Sequence, residues 1–189
     1  MTRILLVDDH AVVRSGLRQI ISDELEDVVF GEAETGPQAL HQVETAEWDV
    51  VILDIALPGR SGLDVLKQIR GVTPGLPVLI LSMYPTEQYA TRVLRAGASG
   101  YMTKESAPEE LTVAIKRLLS GRTYIAEEVA ERLVQHIRGA EDEPAHELLS
   151  DREYEVLRLV GQGRTVTEVS VLLNLSVKTV STYRARPLE

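Results

Sequence analysis

Two apolar runs, each of six residues, place the strongest limit on the fold of this chain. Asp49–Asp54 and Pro77–Ser82 are almost continuously apolar, as strands buried on both faces of a parallel sheet require. Further strand candidates are Arg3–Val7, Val28–Ala33 and Gly100–Thr103. Helical patterns separate these runs along the first 120 residues. Five β-α units of this kind predict an α/β fold with a doubly wound, five-stranded parallel sheet.

The composition excludes several classes of protein. Hydrophobic residues make up 44% of the 189 residues and charged residues 26%, which is not the composition of a disordered chain. The absence of cysteine excludes disulfides, thiolate metal sites and cysteine nucleophiles. No apolar run approaches the roughly 18 residues of a membrane-spanning helix, and the first residues lack the plan of a signal peptide. We therefore expect a cytoplasmic protein with no membrane segment.

The organisation of the chain changes after residue 122. An amphipathic helix pattern at Glu127–Ile137 leads into an acidic stretch that contains proline, which we interpret as the boundary between two domains. Three short helical patterns follow, at Ser150–Val160, Val166–Leu173 and Ser176–Arg186. We therefore predict a first domain at 1–122, a linker at 123–148 and a small all-α domain at 149–189.

Charge is distributed unevenly over these parts. The whole chain has a net charge of −9, whereas residues 150–189 have a net charge of +1. The preceding residues 126–149 carry −5, which should repel DNA. Any surface that binds a polyanion is therefore expected in the last forty residues.

Polar residues interrupt the predicted strands at their carboxyl ends. Asp8 and Asp9 end the first strand, Asp54 the third and Ser82 the fourth, and Lys104 follows the fifth. The carboxyl ends of parallel strands line one edge of the sheet, where ligands bind. Three carboxylates at one edge would repel each other, and a hard divalent cation such as Mg²⁺ would relieve that repulsion. Lys104 would add a positive charge for a phosphoryl oxygen, and Ser82 a hydroxyl donor.

Each of these residues also has an ordinary structural explanation when taken alone. Asp8 or Asp9 could cap the helix that follows, and Asp54 could open the turn at residues 57–59. Lys104 alone would be a solvated lysine, and Ser82 a hydroxyl at the end of a strand. Their occurrence together, on four strands of one fold, favours a functional site.

The same residues carry a resemblance to a known family. The chain closely resembles response-regulator receiver domains over residues 1–122, through Asp8 and Asp9, Asp54 followed by Pro58 and Gly62, Ser82, and Tyr101 three residues before Lys104. The resemblance implies a flavodoxin-like, CheY-like fold and a regulatory phosphoacceptor rather than an enzyme. Asp54 would accept a phosphoryl group from a sensor histidine kinase.

The resemblance also implies a metal site and a switch. Asp9, Asp54, the carbonyl group of Ala56, and Asp8 through water would hold Mg²⁺. After phosphorylation Ser82 would move toward the phosphoryl group. Tyr101 would then swing inward as the switch residue and change the surface of the fourth and fifth helices. An aromatic residue that covers the end of a strand is the ordinary explanation of Tyr101.

The last forty residues have the outline of a helix-turn-helix, although a generic helical hairpin explains that pattern as well. The string LSDREYEVLRLVGQGRTVTEVSVLLNLSVKTVSTYRAR strongly resembles the LuxR-type DNA-binding domain of the NarL/FixJ family. The resemblance places Lys178 and Thr179 at phosphates or the groove edge. Three further residues would face base edges in the major groove: Ser181, Thr182 and Arg184. Val177 and Val180 would face the core.

Two departures from that family affect what we expect of the C-terminal domain. The chain stops at Glu189 before the family's fourth helix, and Pro187 lies where the third helix would continue. We therefore expect a C-terminally incomplete, truncated domain that is loosely folded, docked on the receiver, or completed by a second chain.

The favoured function is that of a two-component response regulator that binds promoter DNA and forms a homodimer on phosphorylation. The alternative is a receiver that acts through protein contacts only, with a non-functional helix-turn-helix. An aspartate-based phosphotransferase is disfavoured because no Asp-x-Asp motif follows the acceptor strand.

Overall fold

Among the described residues, strands alternate with helices in the first part of the chain, and the last part contains only helices and the turns between them. The computed structural model describes residues 1–58, 61–83, 87–127, 129–131, 134, 151–173 and 175–185. The chain divides into two compact units, Met1–Gly139 and Ala140–Glu189. The predicted boundary segment at 139–149, Pro187 and most of the predicted Glu127–Ile137 helix lie outside the described residues.

The first unit contains six strands and five helices among its described residues. The strands are β1 (Thr2–Val7), β2 (Val28–Ala33), β3 (Val50–Asp54), β4 (Val78–Ser82), β5 (Gly100–Thr103) and β6 (Tyr124–Ile125). The helices are α1 (Ala11–Glu24), α2 (Gly36–Thr45), α3 (Gly62–Val72), α4 (Glu87–Arg95) and α5 (Ala107–Leu119).

The strands form one sheet in the order β2-β1-β3-β4-β5-β6, and every pair is parallel. Every residue of β3 and β4 is buried, as their continuous apolar sequences predict. Helix α1 packs against α5, and α2 against α3. The prediction of a doubly wound parallel sheet is therefore confirmed, with one strand more than the five predicted.

The sixth strand lies in the segment predicted as linker. Tyr124 pairs with Gly100 of β5, and the Tyr124 hydroxyl donates a 2.6 Å hydrogen bond to Glu110 Oε2 on α5. A Cβ atom at Gly100 would lie 2.7 Å from the Tyr124 carbonyl oxygen, so only glycine lets β6 approach this closely. A strand of two residues has no periodicity to detect, and its pairing with β5 exists only in the folded chain.

The second unit contains three described helices: α6 (Asp151–Gly161), α7 (Val166–Leu172) and α8 (Val177–Ala185). They share a core of buried apolar side chains: Val156, Leu159, Val169, Leu173 and Val180. Helix α7 begins with a capping box, in which the Thr165 hydroxyl accepts from the Glu168 amide and the Glu168 carboxylate accepts from the Thr165 amide. The described helices thus pack around a core of their own.

Candidate functional site

Strand register brings the predicted site residues to one edge of the sheet. Val7 of β1 pairs with Leu53 of β3, and Asp54 with Leu81 of β4. Ser82 in turn pairs with Thr103 of β5. The neighbouring strands β1, β3, β4 and β5 therefore end at the same level of the sheet, although they are far apart in the sequence.

Three charged groups meet in the centre of this edge. Lys104 Nζ donates hydrogen bonds to Asp8 Oδ2 at 2.5 Å and to Asp54 Oδ2 at 2.8 Å. Both carboxylates are 1% exposed, and the Lys104 side chain is 12% exposed. The other oxygen of Asp54, Oδ1, accepts a 3.1 Å hydrogen bond from the amide of Ala56. One half-buried cation thus bridges two buried carboxylates.

The electrostatics of this cluster favour a further positive charge. Burial raises the pKa of the Asp54 carboxyl, and the neighbouring Asp8 carboxylate raises it further, against the lowering effect of Lys104. Burial acts to lower the pKa of Lys104, but Asp54 and Asp8 outweigh it and raise that pKa above its ordinary value. Lys104 therefore stays protonated and offsets only one of the two buried negative charges.

Asp9 and His10 complete the cluster on its solvent side. One ligand atom from each of Asp8, Asp9, His10 and Asp54 lies within 4.8 Å of all the others, which is close enough for these atoms to share a metal ion. His10 Nδ1 lies 2.7 Å from Asp9 Oδ1 and 3.2 Å from Asp8 Oδ1. His10 is not among the residues that the sequence analysis assigned to this edge, whereas the structure places its ring nitrogen inside the cluster. The three consecutive residues Asp8-Asp9-His10 were the available signal.

Gly62 allows the loop after β3 to close tightly behind the site. A Cβ atom at residue 62 would lie 2.4 Å from the Asp54 carbonyl oxygen and 2.6 Å from Ile55 Cα. The Gly62 amide donates a 2.9 Å hydrogen bond to the Ile55 carbonyl, and the Ser61 hydroxyl caps α3 by accepting from the Leu63 amide. The position of Gly62 after Asp54 is therefore a steric requirement.

Ser82 and Tyr101 are both completely buried, at 0% exposure. Ser82 is the last residue of β4, and its carbonyl accepts a 2.7 Å hydrogen bond from the Lys104 amide. Tyr101 pairs with Ile80 and Ile125 in the sheet. Tyr101 is thus buried in this structure, and its inward movement after phosphorylation stays a prediction.

The second unit presents the predicted DNA-contacting residues on α8. Lys178, Ser181, Thr182 and Arg184 are exposed, and Thr179 is half-buried. The hydroxyls of Ser181 and Thr182 donate to carbonyl groups one turn earlier in the helix. Val180 is buried as predicted, whereas Val177 is 49% exposed, so the prediction that both face the core is wrong for Val177. Residue 177 is the first of α8, and only the packing of α8 against its neighbours decides that it faces outward.

Two family models match this chain, one in each of its two units. The family model of the "Response regulator receiver domain" matches residues 4–116, and that of "Bacterial regulatory proteins, luxR family" matches residues 147–189. The response regulator UvrY of Escherichia coli (strain K12) is 37% identical over 187 residues, which cover 98% of this chain and 86% of UvrY.

Two solved structures of the response regulator RcsB are also similar to this chain. RcsB from Salmonella enterica serovar Typhimurium, bound to a promoter in the presence of the phosphomimetic BeF3⁻, has a TM-score of 0.67 and 29% identity, covering 99% of this chain and 90% of that one. A structure of two RcsB dimers bound to two parallel DNAs has a TM-score of 0.65 and 29% identity. The match covers 98% of this chain and 89% of the RcsB chain.

No described helix is long and apolar enough to cross a membrane. The fold, the carboxylate cluster and the helical second unit agree with the family matches. The chain therefore belongs to the two-component response regulators of the NarL/FixJ type, with a receiver domain followed by a regulatory domain of the luxR family.

Proposed function

We propose that Asp54 is the phosphoacceptor of this regulator. The observation that carries the proposal is the buried Asp54 carboxylate, which lies 2.8 Å from the Lys104 ammonium at the carboxyl edge of the sheet. An Asp54 oxygen attacks the phosphorus of a kinase phosphohistidine or of a small acyl phosphate, and a new P–O bond forms. The old P–N or P–O bond breaks, and its electron pair leaves on the donor. Hydrolysis of the aspartyl phosphate later resets the protein.

Lys104 and Ser82 act on the phosphoryl oxygens. The Lys104 ammonium is already held next to Asp54, so it can offset charge on the transferring group without a large movement. The Ser82 hydroxyl at the end of β4 supplies a neutral donor once the phosphoryl group is present. The chain's own contribution is thus positioning and electrostatics.

The carboxylate cluster fits Mg²⁺, because carboxylate oxygens are the ligands that this hard cation prefers. Asp8, Asp9 and Asp54 would hold the ion, together with the carbonyl group of Ala56. When bound, Mg²⁺ neutralises negative charge on the phosphoryl oxygens. The excess of carboxylates over the single lysine in the cluster supports this assignment.

Residues 1–122, together with the added strand β6, would act as the receiver, the remainder of 123–148 as the linker and 149–189 as the DNA-binding output. Phosphorylation at Asp54 adds a charge of roughly −1.5 to −2. Ser82 and Lys104 would contact the oxygens of the added phosphoryl group. The change would reach Tyr101 and the surface of α4 and α5, favour a homodimer, and promote binding to promoter DNA in the cytoplasm. RcsB, which is similar to this chain, has been solved as dimers on DNA.

Labelling with radioactive acetyl phosphate in the presence of Mg²⁺ tests the phosphoacceptor. We expect the full chain to be labelled, Asp54→Asn to take up no label, and Asp64→Asn, a control on the following helix, to be labelled like the wild type. Label retained in Asp54→Asn would place the acceptor on another residue.

The proposed binding of promoter DNA is tested by selection of bound sequences from a pool of random DNA duplexes. If the phosphorylated chain regulates transcription, it will enrich specific duplexes, and its affinity will fall steeply with salt. Arg184→Ala should relax the selected sequence. No enrichment by a chain that still dimerises on phosphorylation would favour the alternative, a receiver that acts through protein contacts only.

A further inference from the structure

Arg14 of α1 is a buried cation that reaches the carboxyl ends of two strands. Its side chain is 7% exposed. Its guanidinium donates three hydrogen bonds, to Glu32 Oε2 at 2.9 Å, to Glu34 Oε1 at 2.8 Å and to the Asp8 carbonyl oxygen at 2.7 Å. Each bond uses a different nitrogen, so the planar group is held in one orientation.

The bond to Asp8 fixes the peptide group that joins Asp8 to Asp9. The carbonyl of Asp8 and the amide of Asp9 lie in one rigid plane, because the peptide bond does not rotate. The Asp8 amide on the other side donates a 3.1 Å hydrogen bond to the Ala33 carbonyl. The Asp8 backbone is therefore held from both directions, once by β2 and once by Arg14.

We infer that Arg14 is a positioning residue for the cation site, and that it acts by fixing the Asp8–Asp9 peptide. This inference rests on the proposed function, because it takes the Asp8–Asp9–Asp54 cluster as the Mg²⁺ site. The direction of the Asp9 side chain depends on the plane of that peptide. If the peptide is released, the Asp9 carboxylate loses its fixed position relative to Asp8 and Asp54. Groups that orient metal ligands in this way usually contribute about 10–100-fold to metal affinity.

A purely structural role for Arg14 predicts a different result. In that case Arg14 would only neutralise Glu32 and Glu34, which come from the end of β2 and the loop after it. The double variant Glu32→Gln/Glu34→Gln removes both negative charges but keeps Arg14 and its acceptor on Asp8. The variant Arg14→Lys keeps the positive charge, but its three donors lie on a single nitrogen, so it cannot span the three acceptors as the planar guanidinium does.

Arg18 provides the matched control. It lies one turn further along α1, donates a 2.8 Å hydrogen bond to Glu32 Oε1, and stacks over the ring of Phe30 at 5.2 Å. Arg18 thus shares the Glu32 carboxylate with Arg14. Both of these Arg18 contacts are to residues of β2, and neither is to Asp8. Arg18→Met therefore disturbs the same ion pairs without releasing the Asp8–Asp9 peptide.

The test is calorimetric titration of the full chain with MgCl2, with the thermal unfolding midpoint of each variant measured in EDTA. We expect the Mg²⁺ dissociation constant to rise about tenfold in Arg14→Lys and to change less than about twofold in Arg18→Met and in the double glutamate variant. Wild-type Mg²⁺ affinity in a folded Arg14→Lys variant would overturn the inference alone. Affinity lost equally in the double glutamate variant would also overturn it, since ion pairing and not the Asp8 bond would be responsible. If the wild-type chain bound no Mg²⁺, the proposed function would fail together with this inference.

Discussion

Gly62 lies directly against the backbone of Asp54, so close that a Cβ atom at residue 62 would be 2.4 Å from the Asp54 carbonyl oxygen. The start of α3 and the end of β3 are therefore in contact through backbone atoms at the site itself. No side chain at residue 62 can move away from this contact, because the contacted atoms also belong to backbone.

Gly62→Ala should lower the free energy of unfolding by about 1–3 kcal/mol, the usual cost of forcing an extra group into a packed region. Gly71→Ala in the same helix is the control, because a Cβ atom there meets nothing within 4 Å. That variant should be stabilised by about 0.5–1 kcal/mol, because alanine loses less conformational freedom in a helix than glycine does. Urea unfolding followed by fluorescence of Trp48, the only tryptophan, measures both. Equal stability of the two variants would contradict the contact.

Lys104→Met should destabilise the receiver in metal-free buffer at neutral pH. Removal of the lysine leaves Asp8 and Asp54, each 1% exposed, without the lysine that they share, and loss of one partner of a buried pair costs about 3–5 kcal/mol. The double variant Lys104→Met/Asp54→Asn should recover part of that loss, because only one buried carboxylate remains. Urea unfolding in EDTA gives both values, and a double variant less stable than Lys104→Met would contradict the repulsion.

Glu32→Gln should show a stability deficit that depends on pH. The hydrogen bond from Arg14, followed by that from Arg18, holds the pKa of the Glu32 carboxyl below its ordinary value of 4.5. The ionised form therefore stabilises the folded chain above about pH 4.5, and this contribution is lost as the pH falls through the lowered pKa of the folded state. Glu32→Gln should thus be less stable than wild type at neutral pH, with a difference that shrinks below pH 4.5. Urea unfolding over this range measures it, and a constant difference would be the contrary result.

Val180→Ala and Val177→Ala should differ although both lie on α8. Val180 is completely buried in the core of the second unit, so its truncation should cost about 1.5–2 kcal/mol for two lost methyl-sized groups. Val177 is 49% exposed, and its truncation should change stability by less than about 0.5 kcal/mol. Amide exchange of α6, α7 and α8 in the full chain gives the local stability. Similar losses of protection in the two variants would show that Val177 also packs in the core.

Local sequence predicted those parts of the receiver whose pattern is long enough to read. The buried runs of β3 and β4 specify central parallel strands, because only such strands are apolar on both faces. The polar residues that end them, Asp54 and Ser82, marked the functional edge of the sheet. The burial of apolar side chains along a strand that ends in a polar residue is a preference that acts at the level of single strands.

Tertiary structure alone decided the contacts that depend on chain direction and distance. Three such features leave no periodic pattern in the sequence. They are the pairing of β6 with β5, the outward position of Val177 and the presence of His10 in the carboxylate cluster. Arg14 is the clearest case, since its partners lie 6, 18 and 20 residues away and meet only where two strands end side by side. The sequence by itself determined the five longer strands and where the acidic edge lies. The folded sheet decided which side chains hold that edge in place, because those contacts join segments that no local pattern connects.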